Sequence, residues 1–409
     1  MITRREALET ILSNAERAGW AGADPYDGLH SLVGRLAIPF GPPARLAVTH
    51  AVLRSGRIRA IVQPSLSVNP KGLALFLGAV ANSRATLGEE QAHALSKSLV
   101  AALRECAAST DDGLGWGYPF PWQSRWFWAP AGTPNAVVTA TAGWHLLAAA
   151  DAFGSVEARA MAEAAGRFLT TGLRWTPAGG GRIAVSYTPR DRTRIINVSG
   201  LVARLLARLG DRVRAEGLAE FITCAQEPSG GWPYAQDVRG RWQDSFHTGF
   251  LLESLLCLRA LGIVVPQETF RRGFAAYRRF FAADGGARLY PSDSSSYDAH
   301  SAAQGMATYA ALAMTKGGAL LADEEPLERA GLIADWALRR LWIPEDGYFA
   351  YRITNSVRDE RLYLRWVQAW MAWGLSVTDA AMVAGDASRR TACAADRPAS
   401  GVVDRVEVA

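Results

Sequence analysis

The sequence predicts an all-α fold: an (α/α)6 toroid, six inner and six outer helices closed into a ring, with irregular aromatic-rich loops at one mouth. Three observations predict it. Six strongly apolar helical segments start at 69, 135, 197, 247, 300 and 365, separated by 66, 62, 50, 53 and 65 residues, enough for two helices and two loops each. Amphipathic segments lie between them. A glycine followed closely by aromatic or β-type residues precedes each apolar segment after the first: GLGWGYPFPW (113–122), GGRIAVSYTP (180–189), GGWPYAQD (230–237), GGARLYPSD (285–293) and DGYFAYRI (346–353).

The chain opens with MITRREALETILSNAERAGW, whose charged, amphipathic stretch over about 4–18 supplies the first outer helix. Segment 20–66 is irregular by pattern, with one helix at about 44–55 and the loop DPYDGLHS (24–31). The first inner helix starts at Asn69 (NPKGLALFLGAVA), with Pro70 at the first helical position, where its missing N–H costs nothing. Inner helices follow at Asn135, Asn197, His247, His300 and Arg365. Outer ones follow at 90–108, 155–172, 212–226, 267–283 and 325–340. In the first of these, Leu99 and Leu103 make an apolar stripe while Lys97 and Arg104 face water. One domain is expected over 1–378. Periodicity is then lost, and 379–409 reads as a disordered tail.

The 409 residues suit a ring carried as one domain, and 49% apolar with 20% charged residues excludes wholesale disorder. A net charge of +5, with no long Lys/Arg run, argues against a nucleic-acid arm. The N-terminus lacks a signal-peptide apolar core, and no stretch reaches the roughly 18 uninterrupted apolar residues of a transmembrane segment. The expectation is a cytoplasmic protein. Cys106, Cys224, Cys257 and Cys393 lie far apart with no CxxC pair, so neither a metal site nor another cofactor is expected. Fourteen tryptophans, many in loops, need a reason, because a core would place them within the periodic segments.

That reason is the mouth. In such a ring the inner helices run the same way, so their N-terminal N–H groups and partial positive charges converge. Trp116, Tyr118, Trp122, Arg125, Trp232, Tyr234, Tyr290, His300, Tyr348 and Arg365 are the expected substrate-binding residues. Aromatic faces stack on sugar rings, and arginines with helix N-termini suit a carboxylate or phosphate. His247 and Asp244, three residues apart in WQDSFHTG, form an acid–base-capable pair, with Tyr187 and Asn197 as further catalytic candidates. Plainer roles compete at each position. Asn69, Asn135, Asn197 and Asp244 are ordinary N-caps. Tyr187, Tyr234 and Tyr290 fit loop packing, and Arg125 and Arg365 fit structural cation–π contacts. His50, His93 and His145 fall within helices as core or surface residues, and His30 lies in a loop.

DPYDGLHS, NPKGLALFL, WGYPFPWQSRWF, PNAVVT, SYTPRD…NVSGL, GGWPYAQD…DSFHTGFLLESL and LRWVQAWM together resemble the VpsJ-type proteins of bacterial polysaccharide biosynthesis over about residues 20–375. The resemblance implies an α/α toroid related in fold to terpenoid cyclases and protein prenyltransferases. It also implies a place in exopolysaccharide or O-antigen assembly.

Three functions compete. The first is a carbohydrate-active lyase, epimerase or hydrolase, with an oligosaccharide or a sugar-diphosphate-lipid as substrate. Proton abstraction beside a carboxylate would use Asn197 or an arginine, His247, and Tyr187 or Tyr234. Hydrolysis would need two carboxylates, Asp244 with Asp298 or with the Asp111–Asp112 pair. The second is a terpenoid cyclase or prenyltransferase, supported by one QxxxGxW match at Gln226–Trp232 but by no DxDD or DDxxD motif. The third is a non-catalytic sugar-binding scaffold.

Overall fold

The computed structural model describes residues 2–315 and 325–395. Its helices in chain order are α1 (Arg4–Arg17), α2 (Leu32–Ala37), α3 (Gly41–Arg54), α4 (Gly56–Val62), α5 (Pro70–Asn82), α6 (Arg84–Leu87), α7 (Glu89–Glu105) and α8 (Ala136–Phe153). There follow α9 (Val156–Arg167), α10 (Ile196–Arg208), α11 (Arg212–Cys224), α12 (Ser245–Ala260), α13 (Gln267–Tyr277), α14 (Ala299–Met314), α15 (Pro326–Arg340) and α16 (Trp370–Ala395), the last entered through a π-helical turn, Leu364–Ala369. Helices make up 61% of the chain.

Inner helices α5, α8, α10, α12, α14 and α16 each pack on the next, and α16 packs back on α5, so the ring closes. Helices α7, α9, α11, α13 and α15 each cover the inner helix that precedes them, and α1 covers α16. Sequence explains the two layers. Helix α8 is apolar on nearly every side and is buried along most of its length, with Asp151 near its C-terminal end exposed. Helix α7 buries Ala92, Leu95, Ser96, Leu99, Val100 and Leu103 along one stripe and leaves Lys97 and Arg104 outside. Arg204 on α10, buried in the inner layer, pairs with Glu253 on α12, which also accepts from Gln304 on α14 at 2.8 Å. The first and last turns of the ring are tied by Arg4, bonded to Asp335 at 3.1 Å and Asp379 at 2.9 Å. Helix α8 is long and apolar enough to cross a membrane by length and composition, and most of it is buried inside the ring.

Four expectations change. Asn69 and Asn135 are N-caps, but Asn197 is the second residue inside α10, whose cap is Ile195. Helices α12 and α14 begin before His247 and His300, because Asp244 and Asp298 accept the N–H groups three residues on. Segment 20–66 carries three helices rather than one. Of these, α2 and α4 are short and keep apolar side chains on their solvent side, which hides the amphipathic period. Finally, α16 continues through Ala395, because the alanine-rich DAAMVAGDASRRTACAA has high helix propensity; only 396–409 of the expected tail lie outside the described residues.

Candidate active site

Lys71, Val137, Asn197, His247 and His300, all from first turns of inner helices, line one cavity of about 480 Å³ with Arg365 from the π-helical turn. Their convergence requires parallel inner helices, and the volume suits a small-molecule site.

The rim loops follow one rule. The carbonyls of Tyr187, Tyr234, Leu289 and Tyr351 accept the first N–H groups of the neighbouring inner helices, from Ala136, Ile196, Ser245 and Ala299, at 2.8 to 3.1 Å. These four residues line the cavity, as does Tyr118. Two positions earlier stand Trp116, Val185, Trp232, Ala287 and Phe349, all buried behind the loop. Trp116 Nε1 donates to the Leu103 carbonyl of α7 at 2.7 Å, and Trp232 Nε1 to the Ile222 carbonyl of α11 at 2.9 Å. In an extended segment one face looks back at the outer helix and the other into the mouth.

At the start of α12, Asp244 performs two tasks at once. Its Oδ1 accepts the His247 backbone N–H at 2.9 Å, and its Oδ2 lies 2.6 Å from His247 Nδ1 and accepts from Trp242 Nε1 at 3.1 Å. That contact orients the ring and engages Nδ1, leaving Nε2 as the nitrogen without a carboxylate partner. Tyr234 lies edge-on to His247, with ring centres 4.7 Å apart, and stacks on Trp242 at 4.6 Å and on Trp126 at 5.6 Å. Arg125 covers Trp242 at 4.7 Å. On a neighbouring wall the Tyr118 and Tyr187 hydroxyls are 3.1 Å apart. Burial pushes both phenols up, so they stay protonated.

The remaining wall is cationic. Arg365 pairs with buried Asp24. Although burial opposes its charge, Asp24 holds the guanidinium protonated. Gly72 permits this approach, since a Cβ there would sit 3.3 Å from Arg365 Cβ. Beside it the Lys71 amine faces the rings of Trp370 and Phe250 at 5.2 and 5.4 Å, with no hydrogen bond or ion pair to a described residue. Burial, with Arg365 nearby, holds that amine well below the usual lysine range. Burial also lowers His300, which stacks on Phe246 at 4.4 Å and Trp370 at 4.5 Å; neither of its ring nitrogens has a partner. Asn197 Oδ1 is likewise buried and unpartnered. Asp298 caps α14, and burial pushes its carboxyl up to about 6.

Of the expected site residues, Tyr118, Trp122, Arg125, Tyr187, Asn197, Tyr234, Asp244, Tyr290, His247, His300 and Arg365 share the cavity. Three do not. Trp116 and Trp232, 0% and 2% exposed, are the packing members of the rim rule. Tyr348 lies on the outward side of its strand and donates to the Glu360 carbonyl at 3.2 Å; Tyr351, three residues on, takes the cavity position. Asp111 and Asp112 sit in the turn of an outlying hairpin. Lys71, Tyr26, Trp126, Trp242, Trp366 and Tyr351 also line the cavity without standing out in the sequence, as does His50, whose pattern is that of a plain helical residue. For Lys71 the signal was its first-turn position, matching that of His247 and His300. The DPYDGLHS loop gains a role: Asp24 balances Arg365, Tyr26 lines the cavity, and Asp27 fixes the loop through Arg59 at 2.7 Å.

No family model matches the chain, and no curated protein sequence does. Solved structures share its architecture. A cellobiose 2-epimerase from Bacillus thermoamylovorans aligns with a TM-score of 0.58 at 10% identity, over 76% of this chain and 87% of that one. A GH76 alpha-mannanase from Bacteroides thetaiotaomicron gives 0.58 at 11%, over 80% and 89%. A D-mannose isomerase gives 0.57 at 12%, over 78% and 89%. At such identities the likeness establishes the fold, an (α/α)6 toroid. The VpsJ-type resemblance continues to rest on its own motifs.

Proposed function

We propose that the protein is a carbohydrate-active enzyme that moves a proton on an acidic or lipid-linked sugar, by lyase or epimerase chemistry, in bacterial exopolysaccharide or O-antigen biosynthesis. The observation that carries this reading is His247, oriented by Asp244 through Nδ1 in an aromatic wall of the cavity. Nε2 takes a proton from the carbon beside a carboxylate or carbonyl. Arg365 and Lys71 bind the oxygens on which negative charge builds, and a protonated tyrosine, Tyr187 or Tyr234, returns a proton. The aromatic slab of Trp126, Tyr234 and Trp242 stacks the sugar. The epimerase and isomerase named above lend the reading support through shared architecture, and the VpsJ-type motifs supply its biosynthetic setting. A cytoplasmic, lipid- or nucleotide-linked sugar is the substrate this setting favours.

Hydrolysis fits less well, because both oxygens of Asp244 are engaged, leaving Asp298 without a free carboxylate partner among the lining residues. The QxxxGxW match does not carry a cyclase: Gln226 bonds the Gly230 and Thr269 carbonyls at 2.9 and 3.0 Å, and Trp232 is buried, so the motif packs the loop. The test is solvent exchange. In D₂O the purified protein should wash deuterium into one carbon-bound position of a uronic-acid oligosaccharide, read by NMR. Binding without exchange would support a non-catalytic scaffold instead.

A further inference from the structure

Helices α2, α3 and α4 pack on one another beside the rim loops and present an unusual surface. Of the seventeen large hydrophobic residues exposed among the described ones, seven lie in this short stretch: Leu32, Val33, Leu36, Phe40, Ile58, Ile61 and Leu66. Phe40 is 78% exposed and Ile61 81%. The same stretch, 32–66, holds five arginines and no aspartate or glutamate. Arg59 is neutralised by Asp27 and Arg45 is held by the Ile38 carbonyl and Gln123, while exposed Arg35, Arg54 and Arg57 have no carboxylate partner among the described residues. Solvent alone is a poor environment for so much apolar surface. Apolar side chains interspersed with unpaired arginines are what a protein lying on an anionic bilayer needs. The side chains enter the boundary between headgroups and acyl chains, and the cations meet the phosphates.

We propose that the α2–α4 face is a docking surface for an anionic phospholipid membrane, holding the protein on the surface without spanning it. Its position gives this a consequence. Leu46, Thr49 and His50 of α3 line the cavity, so the same helix borders both the membrane face and the mouth. A substrate whose sugar is carried on a membrane lipid then reaches the cavity without leaving the bilayer.

The test is flotation of the full chain with vesicles of phosphatidylcholine alone or with about a third phosphatidylglycerol. Binding is expected to the anionic vesicles, weakly or not at all to the neutral ones, and to weaken as salt rises. The exposed-site variant Leu36→Glu/Phe40→Glu, checked for unchanged circular dichroism, should reduce partitioning by about tenfold or more. Arg54→Ser/Arg57→Ser should reduce it less and flatten the salt dependence. No binding to anionic vesicles, or equal binding by Leu36→Glu/Phe40→Glu, overturns the proposal. So does equal binding to neutral vesicles. A dimer that the same glutamates dissociate, with no vesicle binding, assigns the face to a second copy of the chain and also overturns it.

Discussion

Beside His247 both oxygens of Asp244 are already engaged by the protein, whereas on the wall of His300 both ring nitrogens have no partner among the described residues. Asp244 uses both oxygens, one on the helix end and one on the imidazole. Across the cavity both His300 nitrogens are buried without a hydrogen bond among the described residues, and the Lys71 amine beside them faces aromatic rings rather than a polar partner. A buried polar group left unmade costs about 1–3 kcal/mol. Such groups persist where something from outside completes them. On the proposed reading the first wall is preorganised for chemistry and the second is completed by a ligand's oxygens. The two should respond differently to substitution.

The largest effect belongs to the first wall. His247→Gln should lower turnover by roughly two to four orders of magnitude with binding largely kept. Unchanged turnover in a folded variant would remove the catalytic role and leave only a binding cleft. Next comes the one buried ion pair of the cationic wall. Arg365→Met strands Asp24, 3% exposed, and should destabilise the fold by about 3–5 kcal/mol in urea titration. A loss below about 1 kcal/mol would mean that Asp24 is not held as a buried anion.

Lys71→Met should behave in the opposite sense: no loss of stability, because no ion pair is broken, but about tenfold weaker binding of glucuronate. Glucose, lacking the carboxylate, should bind both proteins alike by calorimetry. Equal weakening of both sugars would make Lys71 a packing residue. The smallest effect is on pH. Burial raises the Asp298 carboxyl to about 6, so the folded state holds this proton more tightly than the unfolded chain. Its contribution to stability is present below about pH 4 and is lost as pH rises through about 6. Asp298→Asn should remove that part of the slope, and an unchanged slope would place the titration elsewhere.

The rim shows how far sequence could be read. GWGY at 115–118 and GWPY at 231–234 announce equivalent loops, and the tryptophan is the more conspicuous residue in each. Yet Trp116 and Trp232 hold the loop to the outer helix, while Tyr118 and Tyr234 reach the cavity. The same alternation explains Tyr348 and Tyr351: in DGYFAYRI the face is set by the strand's register, and the first tyrosine after the glycine is on the wrong side. His247 was legible because a histidine three residues after an aspartate at an apolar helix start is unusual. Asp244 read as either a cap or a catalytic partner; two oxygens let it be both.

The sequence by itself determined the ring. Apolar and amphipathic periods are local properties of each helix, and their alternation leaves little choice but two concentric layers. It also determined which ends of the inner helices would carry polar residues. Tertiary structure decided which side chains face the cavity, because that depends on strand register and on neighbours hundreds of positions away. It brought Asp24 to Arg365 across 341 residues and set Lys71 against Phe250 and Trp370. It also turned the apolar residues of 32–66 outward, a choice made by which faces the rest of the ring had already covered.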